Sequence, residues 1–154
     1  MRPIRSTDKI VHIMNKMEVI KKVRAAKQAH MSWVMKADAL IHGIPLEKEQ
    51  VPVDGTACIF GHWYYGEGQN LHHLDSFKAI EQPHFDLHST YAQIFKILFD
   101  SDDKSFLSKL FGTSQKQEEA KLLEARQIFP QLKKHSEVVI KHLDELEREI
   151  EALA

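Results

Sequence analysis

What this sequence has little of already narrows its function. Cys58 is the one cysteine in 154 residues. No disulfide can form within the chain, and a lone thiol suits a reducing cytoplasm. No run of about 18 apolar residues occurs, so nothing is expected to span a membrane. The opening stretch, "MRPIRSTDKIVHIMNKMEVIKK", scatters charges where a signal peptide needs a continuous apolar core. An excess of one charge is missing too. The 21 Lys and Arg stand against 22 Asp and Glu for a net charge of −1, interleaved rather than gathered into a basic stripe. That leaves no electrostatic footprint for nucleic acid. Internal repeats and low-complexity stretches are absent as well.

What remains is a soluble globular composition, 43% hydrophobic and 28% charged, of a length that fits one domain over residues 1–154. Ten histidines are present, several times the usual number for this length. On its own that count is compatible with metal binding, pH sensing or chance.

Apolar periodicity organises the chain. From about Thr7 to His42 the residues Ile10, Ile13, Met17, Ile20, Val23, Trp33, Val34, Ala37, Leu40 and Ile41 recur at helical spacing. Ser6, Thr7 and Asp8 offer N-caps, and Gly43 with Pro45 ends the helix. His30 falls inside this repeat, so it is predicted to face inward. "GIPLEKEQVPVDG" reads as a loop. "TACIFGHWYYGEG" has aromatics that would suit a strand, but no second strand signal exists to pair with it, and it reads as a short helix. A third region runs from about Leu74 to Phe99, where Pro83 must kink or restart the helix. "SDDKSFLSKLFG" reads as a short connecting helix.

From about Gln115 to the end, Leu122, Ala125, Phe129, Leu132, Ser136, Val139, Leu143, Leu146, Ile150 and Leu153 form a three–four seam. Its phase is the same on both sides of Pro130, which implies a kink rather than a loop. The sum is an all-α fold: an antiparallel four-helix bundle with a short extra helix carrying the cysteine.

Within "QPHFDLH" (Gln82–His88), His84 and His88 stand four apart. Residues so spaced share one helix face with Cβ atoms about 5–6 Å apart, and two imidazoles there can converge on one ion. An isolated pair of this kind is more often just two unrelated histidines. Cys58 alone reads as a small buried hydrophobe, and His30 alone as a satisfied core histidine. Together the four supply one sulfur and three nitrogens, a closed tetrahedral set for zinc.

Three stretches, "HMSW" (His30–Trp33), "CIFGHWYYGEG" (Cys58–Gly68) and "PHFDLH" (Pro83–His88), resemble the signature of the chemoreceptor zinc-binding (CZB) domain family. The resemblance covers roughly residues 7 to 150. It implies that His30, Cys58, His84 and His88 are zinc ligands, and that Trp33, Gly61 and Trp63 pack around them. His62, at i+4 from Cys58, is a tempting extra ligand that the pattern does not need. His72 and His73 read as loop residues, and His12, His42, His135 and His142 as surface or partly buried ones.

The resemblance further implies a homodimer that senses cytoplasmic zinc or oxidants and passes that state to a signalling partner. The best-known members carry the domain attached to a chemoreceptor signalling region or a diguanylate cyclase. Here the bundle fills the sequence, and no catalytic activity is expected of it. Two competing readings are a hemerythrin-like di-iron carrier and a metal-free interaction bundle. The first needs bridging carboxylates, yet neither H-x-x-x-E nor H-E-x-x-H occurs in the chain. The second would use the C-terminal seam as its binding face.

Overall fold

Thirty-six residues free of proline and glycine, Ser6–Ile41, form the first helix, α1. Its end is built by Gly43, whose φ of 81° places it in the left-handed region. The Ile44 amide donates to the Ala39 carbonyl and the Gly43 amide to that of Leu40, both at 3.0 Å. This pair of bonds is a Schellman motif, in which glycine takes a conformation that a Cβ makes costly. The computed structural model describes residues 6–44, 57–99 and 114–153, with side chains from residue 15 onward in the first stretch and from 115 in the last. The connecting helix expected over 101–112 lies outside the described residues, as do the side chains of Ile10 and Ile13.

Four further helices follow: α2 (Ile59–Tyr65), α3 (Asp75–Lys78), α4 (Glu81–Phe99) and α5 (Ser114–Ala152), with a 3-10 turn at Glu67–Leu71 between α2 and α3. No strand occurs among the described residues, and the fold is all-α. Its bundle has three long helices, α1, α4 and α5, and the short α2 led by the cysteine. Pro83 resolves as a restart. The chain turns at Ala79 and Ile80, and the proline sits in the first turn of α4, where its missing N–H has no intrahelical partner to lose. At Pro130 the helix α5 continues unbroken.

Long-range contacts fix the directions. Lys16 reaches the Glu151 carbonyl, Arg24 the Glu147 carboxylate, Lys27 that of Asp144, and Arg126 the Ile41 carbonyl. As position rises along α1 its partner falls along α5, so the two run antiparallel. Likewise Ser76 bonds Glu149 and Thr90 bonds His135, so α3 and α4 also run antiparallel to α5.

The α5 seam is the core of this bundle: Ala125, Leu132, Val139, Leu143 and Leu146 are fully buried, and α5 packs on α1, α3 and α4. Two positions of the periodic reading differ. Met17 is 55% exposed and Leu153 38% exposed, because both lie toward the end of the α1–α5 pair, where fewer elements cover them. Among the described residues no helix is long and apolar enough to cross a membrane.

Candidate metal centre

Three elements deliver the four side chains. His30 comes from the C-terminal half of α1 and is completely buried. Its Nδ1 lies 2.7 Å from the Ala26 carbonyl. A carbonyl only accepts, so Nδ1 carries the proton and Nε2 presents a lone pair. That Nε2 is buried and has no hydrogen-bond partner. Leaving a buried polar atom unmatched costs about 1–3 kcal/mol, so such atoms call for an explanation.

Cys58 is the N-cap residue of α2 and is 1% exposed. The Gly61 amide donates to Cys58 Sγ at 3.1 Å, which aims the sulfur and favours negative charge on it. His84 and His88 occupy consecutive turns of α4, each 3% exposed, with ring centroids 4.7 Å apart. The His30 ring lies 5.0 Å from that of His84 and 5.9 Å from that of His88. All four candidate donor atoms fall within 4.8 Å of one another.

The donor set can be tested against a metal. A tetrahedral zinc with bonds of about 2.3 Å to sulfur and about 2.0–2.1 Å to nitrogen separates the two donors by about 3.5 Å. Cys58 Sγ and His84 Nε2 are 3.5 Å apart. The unmatched His30 Nε2 also fits an ion better than it fits an apolar core. Electrostatics agree. Burial pushes the pKa of His30 down to about 4, and the nearby His88 pushes the same way, against the Ala26 hydrogen bond. Burial, then His30 and His88, push that of His84 down to about 3. Both are therefore neutral at pH 7, the form that binds a metal.

Aromatic rings wall the cluster. Trp33 meets His88 edge-on at 4.6 Å and His30 at 5.0 Å. Phe60 meets His84 at 5.1 Å and His30 at 5.7 Å. Trp63 is buried next to Phe60. Of the sequence candidates, all four donors come together and the two tryptophans pack as expected. Gly61 does more than pack, since its amide holds the sulfur. His62 is exposed and stands outside the cluster, as are His42, His72 and His73, while His135 and His142 are half-buried. Phe60 and the Ala26 carbonyl were not singled out by sequence. The signal for Ala26 was its place one turn before His30, a spacing that brings a backbone carbonyl to the imidazole.

Among the described residues this is the only cluster of three or more histidine, cysteine or acidic side chains placed to share an ion. It contains no carboxylate, which removes the bridging groups a di-iron reading needs. Comparison with known families matches residues 30–95 to the model described as the chemoreceptor zinc-binding domain. No curated protein and no solved structure matches the chain. The matched stretch opens on His30 and contains Cys58, His84 and His88. Residues 30–95 are thus similar to a chemoreceptor zinc-binding domain, and all four clustered side chains lie inside the segment that the family model matches.

Proposed function

We propose that this protein is a zinc-binding regulatory module of cytoplasmic signalling, in which His30, Cys58, His84 and His88 hold one zinc ion. The reading rests on one observation above others: a sulfur and three imidazoles within 4.8 Å, with the buried His30 Nε2 unmatched. Zinc held by four protein side chains supplies a fixed positive charge and a tie between helices, with no open position for water. The site is accordingly regulatory rather than catalytic. Within the chain, Ala26 fixes the His30 tautomer, Gly61 aims the sulfur, and Trp33 and Phe60 keep water out.

What the module responds to follows from its one sulfur. Cys58 is the donor that oxidants convert most readily. With a peroxide, the thiolate sulfur attacks one oxygen and an S–O bond forms as the O–O bond breaks. With hydrogen peroxide the sulfur is oxidised by two electrons to sulfenic acid, and the second oxygen leaves as hydroxide, which takes up a proton from solvent to become water. An oxidised sulfur is a poorer ligand and leaves three imidazoles, so α2, which Cys58 leads, loosens from α1 and α4. A homodimer with a chemoreceptor-type or cyclase-type partner would carry that change onward.

Elemental analysis of purified protein separates the readings. One zinc per chain is expected, lost in His84→Ala and held more weakly by the three remaining imidazoles in Cys58→Ala. Iron at two per chain would favour a di-iron carrier, and no metal would favour an interaction bundle. Oxidant response is followed by zinc release to a chromogenic chelator, with Cys58→Ala as the control. Zinc retained while mass spectrometry finds Cys58 oxidised removes the redox role.

A further inference from the structure

Cys58 is 1% exposed, so a reagent can reach it only by a defined path or through an opening of the fold. One path exists. A groove of about 250 Å³ runs between α1 and the start of α2, with both His30 and Cys58 among its lining residues. Exposure orders the lining by depth. Ala25, Ala29 and Ile59 are exposed and form the rim, with Ile59 at 85%. Phe60 and Trp63 are buried and form the wall, and His30 and Cys58 lie at the base.

The groove exists because α1 presents small residues there. Ala25, Ala26 and Ala29 place only methyl groups opposite α2, and any longer side chain would fill the space. Among the described residues, Lys22 is the one charged residue of the lining. The volume is below the roughly 300–1,000 Å³ of pockets that take drug-sized ligands, so it suits small molecules of on the order of ten heavy atoms or fewer. A fully charged one would shed water into an apolar slot with no counter-charge at its base, at a cost of several kcal/mol. His30, whose buried Nε2 has no hydrogen-bond partner, lines the groove as well.

We propose that this α1–α2 groove is the entry site to Cys58, and that it admits small uncharged thiol-reactive molecules while excluding charged ones. The inference deepens the reading of Cys58 as the oxidant-responsive residue, because it names the class of molecule that reaches it. It also bears on metal exchange: a hydrated zinc cation is excluded by the same apolar lining and must use an opening of α2.

Cys58 is the only thiol in the chain, so its labelling rate reads the groove directly. The full-length protein as purified is treated with three methanethiosulfonates of similar reactivity: the neutral methyl, the cationic trimethylammonioethyl and the anionic sulfonatoethyl compounds. In each case the thiolate attacks the sulfenyl sulfur, an S–S bond forms, the S–SO2 bond breaks and methanesulfinate leaves. Rates come from mass spectrometry, each divided by the rate for the same reagent with the chain unfolded in denaturant.

The neutral reagent is expected to lead both charged ones by about 100-fold, the equivalent of about 3 kcal/mol. Ala29→Leu should slow the neutral reagent severalfold and leave the charged ones unchanged. Equal normalised rates for all three reagents overturn the proposal, because they mean that α2 opens as a whole. So does an unslowed Ala29→Leu protein whose helicity matches wild type. The ratio in the wild-type chain needs no variant to fold. Because each rate is a ratio to the unfolded chain and the three reagents are compared on the same protein, they judge the groove whether or not the cluster proves to bind zinc.

Discussion

Removing zinc should leave most of this fold standing, for reasons that can be worked from the structure. In a zinc finger the metal supplies about 10–16 kcal/mol and the metal-free peptide is unfolded. Here the apolar core has its own support away from the cluster. Leu132, Val139, Leu143, Leu146, Val23 and Ile41 are buried to 1% exposure or less. Each is worth about 1.5–3 kcal/mol of burial, and that burial does not depend on the metal. Chelation also introduces no charge repulsion at neutral pH, because burial keeps His30 and His84 uncharged there.

The part that depends on the metal is α2. It has seven residues, far below the length at which a helix is stable alone. Its remaining anchors are the buried Phe60, Trp63 and Tyr64, with the Tyr64 hydroxyl donating to the Phe77 carbonyl at 3.2 Å. If α2 and the five-residue 3-10 turn fray, they take about a tenth of the helical signal carried by the 36, 19 and 39 residues of α1, α4 and α5. The assay is circular dichroism at 222 nm with tryptophan fluorescence on the same sample. Both tryptophans of the chain, Trp33 and Trp63, stand by the cluster. Fluorescence should therefore change clearly while ellipticity falls only slightly. Loss of most of the ellipticity would refute the argument, since the metal would then be supporting the whole bundle.

Further outcomes follow from single features. His62→Ala should retain its zinc, because that ring is exposed, whereas His84→Ala should lose it; metal analysis of the two proteins decides. Gly43→Ala should destabilise the bundle by about 1 kcal/mol, read as a lower urea midpoint. Its φ is 81° with nothing within 4 Å, so the cost is conformational alone. The zinc-free protein should lose stability as pH falls below about 6.5. His30 and His84 titrate near 4 and 3 when folded, so the unfolded chain takes up their protons first. By pH 5 the loss is about 2 kcal/mol per histidine, and denaturant curves at pH 7.5 and pH 5 measure it. An equal midpoint at both would mean that these rings are hydrated.

Much of this arrangement was legible in the sequence, for identifiable reasons. The α1 and α5 cores could be read because apolar spacing must follow the helical period wherever one face is buried. His30 was predicted inward on that ground alone, and it is fully buried. Gly43 gave the end of α1, since few other residues take its backbone angle. Pro83 allowed two outcomes, and the structure has the restart.

Other features had no local signature. The clasp of Arg24 and Lys27 on Asp144, Glu147 and Glu151 joins residues more than a hundred positions apart. Only packing brings them together. Met17 fits the apolar period yet is largely exposed, because periodicity states which way a residue faces and not whether anything lies opposite. The place of Phe60 against two imidazoles depended on how α2 docks, which its seven residues do not encode alone.

The central claim is that one sulfur and three imidazoles hold a single zinc ion, and X-ray absorption at the zinc edge tests it most directly. One sulfur at about 2.3 Å and three nitrogens at about 2.0–2.1 Å are expected, with the sulfur contribution gone in Cys58→Ala. A first shell made mainly of oxygen, or one unchanged in Cys58→Ala, would contradict it.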